Sequence, residues 1–146
     1  MKLNHANLVT ADVAGLSDFF TGHFGFALLD MRGKDAFAVL QASDGFALNL
    51  MKPSKGEEAA YPDGFHVGFF IGNAQMVHAK HAELAGAGRE PGDVQELTRG
   101  GVKSTTFYCN APGGILLQCA GRNTGRGQRL RGLTKKDPGL SSPGSF

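Results

Sequence analysis

Two stretches decide the fold: LNHANLVTADVAGLSDFFTGHFG at residues 3–25 and GFHVGFFIGNAQMVHAKHAELAG at residues 64–86, which repeat one another in register. Each opens on a short strand-like run holding one histidine, His5 or His66. Each then presents a capping side chain, Asp12 or Asn73, ahead of apolar residues at helical spacing. Val13, Leu16, Phe19, Phe20 and Phe24 form that stripe in the first copy, and Val77, His81 and Leu84 in the second. Both histidines precede a helix-ending glycine, Gly25 or Gly86, by 20 residues.

Outward from the helices the match continues. Strands are predicted at about 2–9, 26–32, 35–41 and 45–51 in the first half, and at about 64–71, 93–98, 102–109 and 114–120 in the second. Turn-forming segments separate them, among them Gly33-Lys34, Ser43-Asp44-Gly45 and residues 110–113. The last strand of each half carries an amide at the same place, in Gly45-x-x-x-Asn49 and Gly114-x-x-x-Gln118. One βαβββ unit cannot close a cavity, whereas two side by side can. The expectation is a single α+β domain over residues 1–121, with two βαβββ modules (2–52 and 64–121) forming a cupped mixed sheet and the helices outside. Residues 52–63, with Pro53, Gly56 and Pro62, link them.

Charge separates this domain from the C-terminal tail. Residues 122–146 carry Arg122, Arg126, Arg129, Arg131, Lys135 and Lys136 against Asp137, so they hold +5 while residues 1–121 hold −3. The net +2 therefore describes the tail, and no nucleic-acid partner is expected for the domain. The tail's Gly, Arg, Ser and Pro predict a flexible, solvated arm able to meet an acidic partner.

The chain's 146 residues suit one domain with a full core. Its apolar runs fall well short of the ~20 residues of a membrane helix, so no membrane partner is expected. A hairpin turning at 110–113 puts Cys109 opposite position 114, several residues from Cys119, and predicts two free thiols. Free thiols and the lack of a signal-peptide pattern point to a cytoplasmic location. No Gly-x-Ser-x-Gly, phosphate-binding glycine loop or Cys-x-x-Cys occurs, which removes those hydrolase, nucleotide-binding and dithiol classes. His23, His78 and His81 fall on helices outside the cup and are read as surface or packing residues.

Side chains alternate along a strand, so each strand sorts into two faces. His66 shares a face with Gly68 and Phe70, opposite Phe65, Val67, Phe69 and Ile71. Asn49 lies with Ala47 and Met51, opposite Phe46, Leu48 and Leu50. Gln118 lies with Leu116, opposite Ile115, Leu117 and Cys119, and His5 lies with Leu3 and Asn7. The continuous apolar faces suit packing under helices, and the opposite faces carry the polar groups. Phe70, Met51, Leu116, Phe107 or Tyr108, and Thr105 or Thr106 are candidates for the wall of the cup. Parity separates Phe107 from Tyr108 but leaves open which of them faces in. An aromatic, Met-lined pocket with a few imidazoles and amides suits a planar or amphipathic small molecule.

The set of motifs in this order resembles the vicinal-oxygen-chelate superfamily, the glyoxalase/bleomycin-resistance/dioxygenase type. The residues concerned are Leu3-Asn-His5-Ala, Phe19-Phe20 with Phe24-Gly25-Phe26, His66-Val-Gly-Phe69, and the segment from Phe107 to Gln118. That resemblance implies the doubled fold, closure of the cup in a homodimer, and metal ligands at the positions of His5, Asn49, His66 and Gln118. The family's usual set includes one or two carboxylates, which neutralise a divalent ion and in isomerases supply the base. Here both carboxylate positions hold amides, which carry no charge and cannot act as a base near neutrality. Two readings result. In the first the protein binds or sequesters a small aromatic or amphipathic molecule in the bleomycin-resistance manner, through His5, Asn49, His66, Gln118, Phe70, Met51 and Tyr108, with no cofactor. In the second it is a metal-dependent lyase, isomerase or transferase in which His5, His66 and Gln118 hold a divalent metal and substrate oxygens complete the shell.

Overall fold

The computed structural model describes residues 1–123. The chain forms β1 (His5–Val9), α1 (Val13–His23), β2 (Ala27–Arg32), β3 (Phe37–Gln41) and β4 (Ala47–Met51), then β5 (Val67–Phe70), α2 (Ala74–Gly86), β6 (Gln95–Arg99), β7 (Val102–Asn110) and β8 (Leu116–Arg122). This is the doubled βαβββ order. Each half makes a four-stranded mixed sheet, ordered β1-β4-β3-β2 and β5-β8-β7-β6, with β1 parallel to β4 and β5 parallel to β8. No strand pairing joins the two sheets among the described residues.

Both helices start where the sequence places a cap. Asp12 Oδ1 accepts from the Gly15 N–H at 2.9 Å, and Asn73 Oδ1 accepts from the Met76 N–H at 3.0 Å, which satisfies donors that have no partner within the helix. Each helix buries its stripe on its own sheet: Val13, Leu16, Phe19 and Phe20 in the first half, Val77 and Leu84 in the second. Leu48, Leu50, Leu117 and Cys119 meet them from the strands, as alternation requires.

Aromatic and polar contacts tie the halves together, and Arg89 adds to them by lying 5.1 Å from the centre of the Phe19 ring. Phe69 of β5 packs against Phe24 at 4.7 Å and Phe20 at 5.9 Å, at the end of α1. Lys80 of α2 donates to the His23 carbonyl at the C-terminus of α1, and His23 and Glu83 side chains meet at 3.1 Å. The connecting segment is pinned by Tyr61, whose hydroxyl accepts from the Val9 N–H and donates to the Val9 carbonyl, both at 2.6 Å. It thereby covers one residue of the outward edge of β1.

Several expected boundaries shift. The first strand begins at His5 rather than residue 2. β5 begins at Val67 rather than residue 64, because Phe65 N–H closes a turn onto Pro62 O and Gly64 takes φ +83°. The final hairpin turns at 111–115 rather than 110–113: Ala111 N–H bonds Ile115 O, and Gly113 and Gly114 both adopt positive φ. The register that results pairs Cys109 with Leu117 and Phe107 with Cys119, so the two thiols lie diagonally on one face, nearer than the sequence reading allows. Both are nevertheless free and buried. β8 runs to Arg122, one residue into the predicted tail, and Asn123 follows it with its N–H on the Lys103 carbonyl at 3.0 Å; the tail from residue 124 onward lies outside the described residues.

Candidate functional site

In the first module His5 and Asn7 of β1 lie beside Ala47 and Asn49 of the central strand β4. Asn49 Nδ2 donates to Asn7 Oδ1 at 2.9 Å, and Met51 lies two residues along the same half-buried face. His5 Nδ1 sits 2.6 Å from Asn4 Oδ1.

The second module builds a corresponding patch. Gly68 of β5 pairs with Gln118 of β8, which pairs in turn with Tyr108 of β7. Tyr108 therefore faces in, and its ring meets His66 edge to face at 5.8 Å. Phe107 is fully buried in the core, which removes it from the cup wall. Gln118 Nε2 donates to Thr106 Oγ1 at 3.1 Å, and Thr106 Oγ1 donates to the Cys119 carbonyl at 2.9 Å. His66 Nδ1 lies 2.9 Å from the Gly64 carbonyl. A carbonyl can only accept, so Nδ1 carries a proton, which in the neutral ring leaves the lone pair on Nε2.

Between β1 and β5 opens a crevice of about 850 Å³. It gathers His66 and Phe70 of the sequence-predicted residues, together with Asn7, the partner of Asn49, and Gly68, the neighbour of Gln118. His5, Asn49, Met51, Tyr108 and Gln118 do not form its wall. No hydrogen bond joins the His5/Asn49 patch to the His66/Gln118 patch among the described residues. The polar faces of both modules are open within one chain: His5, His66 and Gly68 are exposed, and Phe70 is 67% exposed. Asn7, Gly68 and Phe65 are site residues that the sequence reading did not single out. Parity with His5 and His66 was the available signal for the first two.

Of the helical histidines, His78 is exposed, whereas His23 and His81 pack. His81 Nε2 donates to the Gly92 carbonyl at 3.0 Å and its ring meets Phe107 at 5.1 Å. Burial pushes the Cys109 thiol above its ordinary range and the Cys119 thiol up to about 12, with Cys109 adding to the latter. Neither thiol is a nucleophile near neutrality.

The donor set does not fit a tightly held divalent metal. Two imidazoles and two amide oxygens bring no negative charge and leave that of the ion uncompensated.

A doubled βαβββ domain with histidine and amide at matched places on its inner faces defines a class of protein. The sequence profile of the Glyoxalase/Bleomycin resistance protein/Dioxygenase superfamily matches residues 2–119, and the chain belongs to that superfamily. Among solved structures it is similar to a possible glyoxalase from Bacillus cereus, with 33% identity and TM-score 0.65 over 82% of this chain and 97% of that one. A lactoylglutathione lyase from Agrobacterium tumefaciens shares the fold at 13% identity and TM-score 0.64, over 82% of this chain and 92% of that one. The fosfomycin resistance protein FosX from Listeria monocytogenes does so at 17% and 0.64, over 83% and 93%. A search of curated proteins found no match.

Proposed function

We propose that this protein binds a small aromatic or amphipathic organic molecule on the inner face of its sheets without a tightly held metal. The observation that carries this reading is the chemistry of the two family carboxylate positions. Both hold amides, Asn49 and Gln118, and each amide nitrogen is already committed to a neighbouring side chain, Asn7 or Thr106. The ligand contacts are His5, Asn49, His66 and Gln118, flanked by Phe70, Met51 and Tyr108.

Open polar faces in the single chain favour a homodimer in which a second copy closes the cup. Its buried free thiols suit a reducing, cytoplasmic setting. Metal analysis of protein purified without added metal, coupled to calorimetry with candidate ligands, tests the reading. Stoichiometric binding without turnover supports it; a full equivalent of bound divalent metal sinks it.

One observation favours a second reading. The His66 Nδ1 proton is held by a backbone carbonyl, and His5 Nδ1 also faces an oxygen, so each Nε2 is free in the manner of metal-ligating histidines. A metal-dependent lyase, isomerase or transferase built on His5, His66 and Gln118 requires that His5→Ala and His66→Ala each abolish metal uptake.

A further inference from the structure

The polarity of the second-module patch says what kind of ligand it recognises. Thr106 gives its only proton to the Cys119 carbonyl, so its oxygen can only accept from Gln118. The Gln118 atom facing Thr106 is therefore the NH2 group, at 3.1 Å, and the carbonyl Oε1 is directed away from it. That oxygen lies below Gly68: a β-carbon built there would sit 4.0 Å from it, and glycine leaves the space empty. His66, two residues along the same face, adds a second acceptor in Nε2, which has no hydrogen-bond partner among the described residues.

The crevice beside this pair is aromatic and weakly acidic. Phe24, Phe26, Phe46, Phe65, Phe69 and Phe70 line it, and Asp44 is its one formally charged side chain. Its remaining polar groups are neutral, Asn7 and Ser43, apart from His66 itself. Lys80 lies 5.4 Å from the centre of the Phe24 ring but lines the adjoining hollow rather than the crevice, and Arg122 lies 5.8 Å from that of Phe70. The rings thus already accept cations, and residues 1–121 carry −3.

We infer that the ligand is an organic cation, a flat apolar body bearing a protonated amidine or amine whose N–H groups donate to Gln118 Oε1 and His66 Nε2. The body lies among the phenylalanines, and Asp44 supplies opposite charge at the margin. This assignment rests on the proposed function, since it names the chemistry of the molecule held there. An anionic ligand meets two acceptors and an acid instead; the crevice wall holds no Lys or Arg, and Arg122 at its margin stands over the Phe70 ring.

The test is calorimetry of the full chain, with a chelator present, against 2-naphthamidine, 2-naphthamide and 2-naphthoate, which share one ring system and differ in charge. The amidine is expected to bind about tenfold or more tightly than the carboxylate. Gln118→Met and His66→Phe should each remove most of that preference, weakening the amidine more than the amide and the amide more than the carboxylate, and Gln118→Glu should strengthen amidine binding. Equal or tighter binding of the carboxylate, or a preference untouched by these variants, overturns the inference. If all three probes bind alike, the small-molecule reading stands and the cation preference falls. If none binds, both fall.

Discussion

Thr106→Val replaces a hydroxyl with a methyl group at a site only 1% exposed and leaves the shape of the side chain almost unchanged. Two hydrogen bonds disappear, the 2.9 Å bond to the Cys119 carbonyl and the 3.1 Å bond from Gln118 Nε2. At about 0.5–1.5 kcal/mol net for each, the loss is about 1–3 kcal/mol. Burying the extra methyl returns about 0.8 kcal/mol, so the variant should be less stable by about 0.2–2 kcal/mol, with a fall in Tm of at most roughly 5–10 °C. The functional consequence is separate. Gln118 loses the partner that fixes its amide, and the affinity for 2-naphthamidine should fall by roughly three- to tenfold as Oε1 ceases to be held in place. Chemical denaturation measures the first effect and calorimetry the second, while the side-chain amide resonances of Gln118 in a nitrogen–proton correlation spectrum report the broken bond directly. Thr106→Ser keeps the hydroxyl and should preserve the Gln118 resonances and the affinity. A Thr106→Val protein with unmoved Gln118 resonances and unchanged affinity would falsify the positioning role, even if its stability had dropped.

Other expectations rest on particular contacts. A β-carbon at Gly121 would meet the Asn73 carbonyl oxygen at 2.6 Å, so Gly121→Ala must push β8 away from the start of α2 and should cost about 2 kcal/mol or more. Gly86, at the end of α2, has nothing within 4 Å of the place a β-carbon would take, and Gly86→Ala should stabilise by about 0.4–1 kcal/mol; urea midpoints of the two variants moving the same way would contradict this packing. Lys80, aided by His23, holds the Glu83 carboxyl below its usual range. Its contribution is therefore complete above the ordinary glutamate value and fades as pH falls through the lowered one; because the side chain is 46% exposed, the effect stays below about 1 kcal/mol. Urea midpoints between pH 3 and 6 should show a shallower acid loss in Glu83→Gln, and identical profiles would show that the pair adds nothing to stability. With its thiol near 12, Cys119 exposes on the order of one thiolate in ten thousand at pH 8. Ellman's reagent should thus label it only after unfolding, and rapid labelling of the native protein would show that β8 opens.

The repeat was legible because its signals are local. Caps, helical stripes and turn glycines act within a few residues, and strand faces follow from alternation alone. The relation between strands was harder to read. Moving the last hairpin turn from 110–113 to 111–115 changes the β7–β8 register by an odd number, which reverses which faces coincide. Tyr108 joins the face of Gln118 only in the observed register, and so does Thr106, whose pairing with Ala120 brings its hydroxyl diagonally to Gln118. Two consecutive glycines at positive φ make that turn, and several loop lengths are compatible with Asn-Ala-Pro-Gly-Gly. The crevice was illegible for a different reason: its wall combines Asn7 and Phe26 of one module with Phe65 and Phe69 of the other, and nothing in either repeat encodes how the two meet.

The amide at position 118 also fits its surroundings better than a carboxylate would. Thr106 has given its proton to the Cys119 carbonyl and shows Gln118 only lone pairs. Gln118→Glu sets an ionised oxygen against those lone pairs. Thr106 can turn its proton to the introduced carboxylate, but the Cys119 carbonyl then loses that bond. Either outcome should lower stability at neutral pH by about 1–2 kcal/mol, and the deficit should shrink as the introduced carboxyl is protonated and can donate to Thr106. Thr106→Val removes the conflict's origin, so the penalty of the second substitution should differ between the Thr106 and Val backgrounds in a double-mutant cycle. A coupling near zero would mean that Thr106 does not discriminate between amide and carboxylate. A coupling of about 1 kcal/mol would mean that the neutral centre is supported from beneath by its own hydrogen-bond network, which is more than the loss of a metal ligand alone would leave behind.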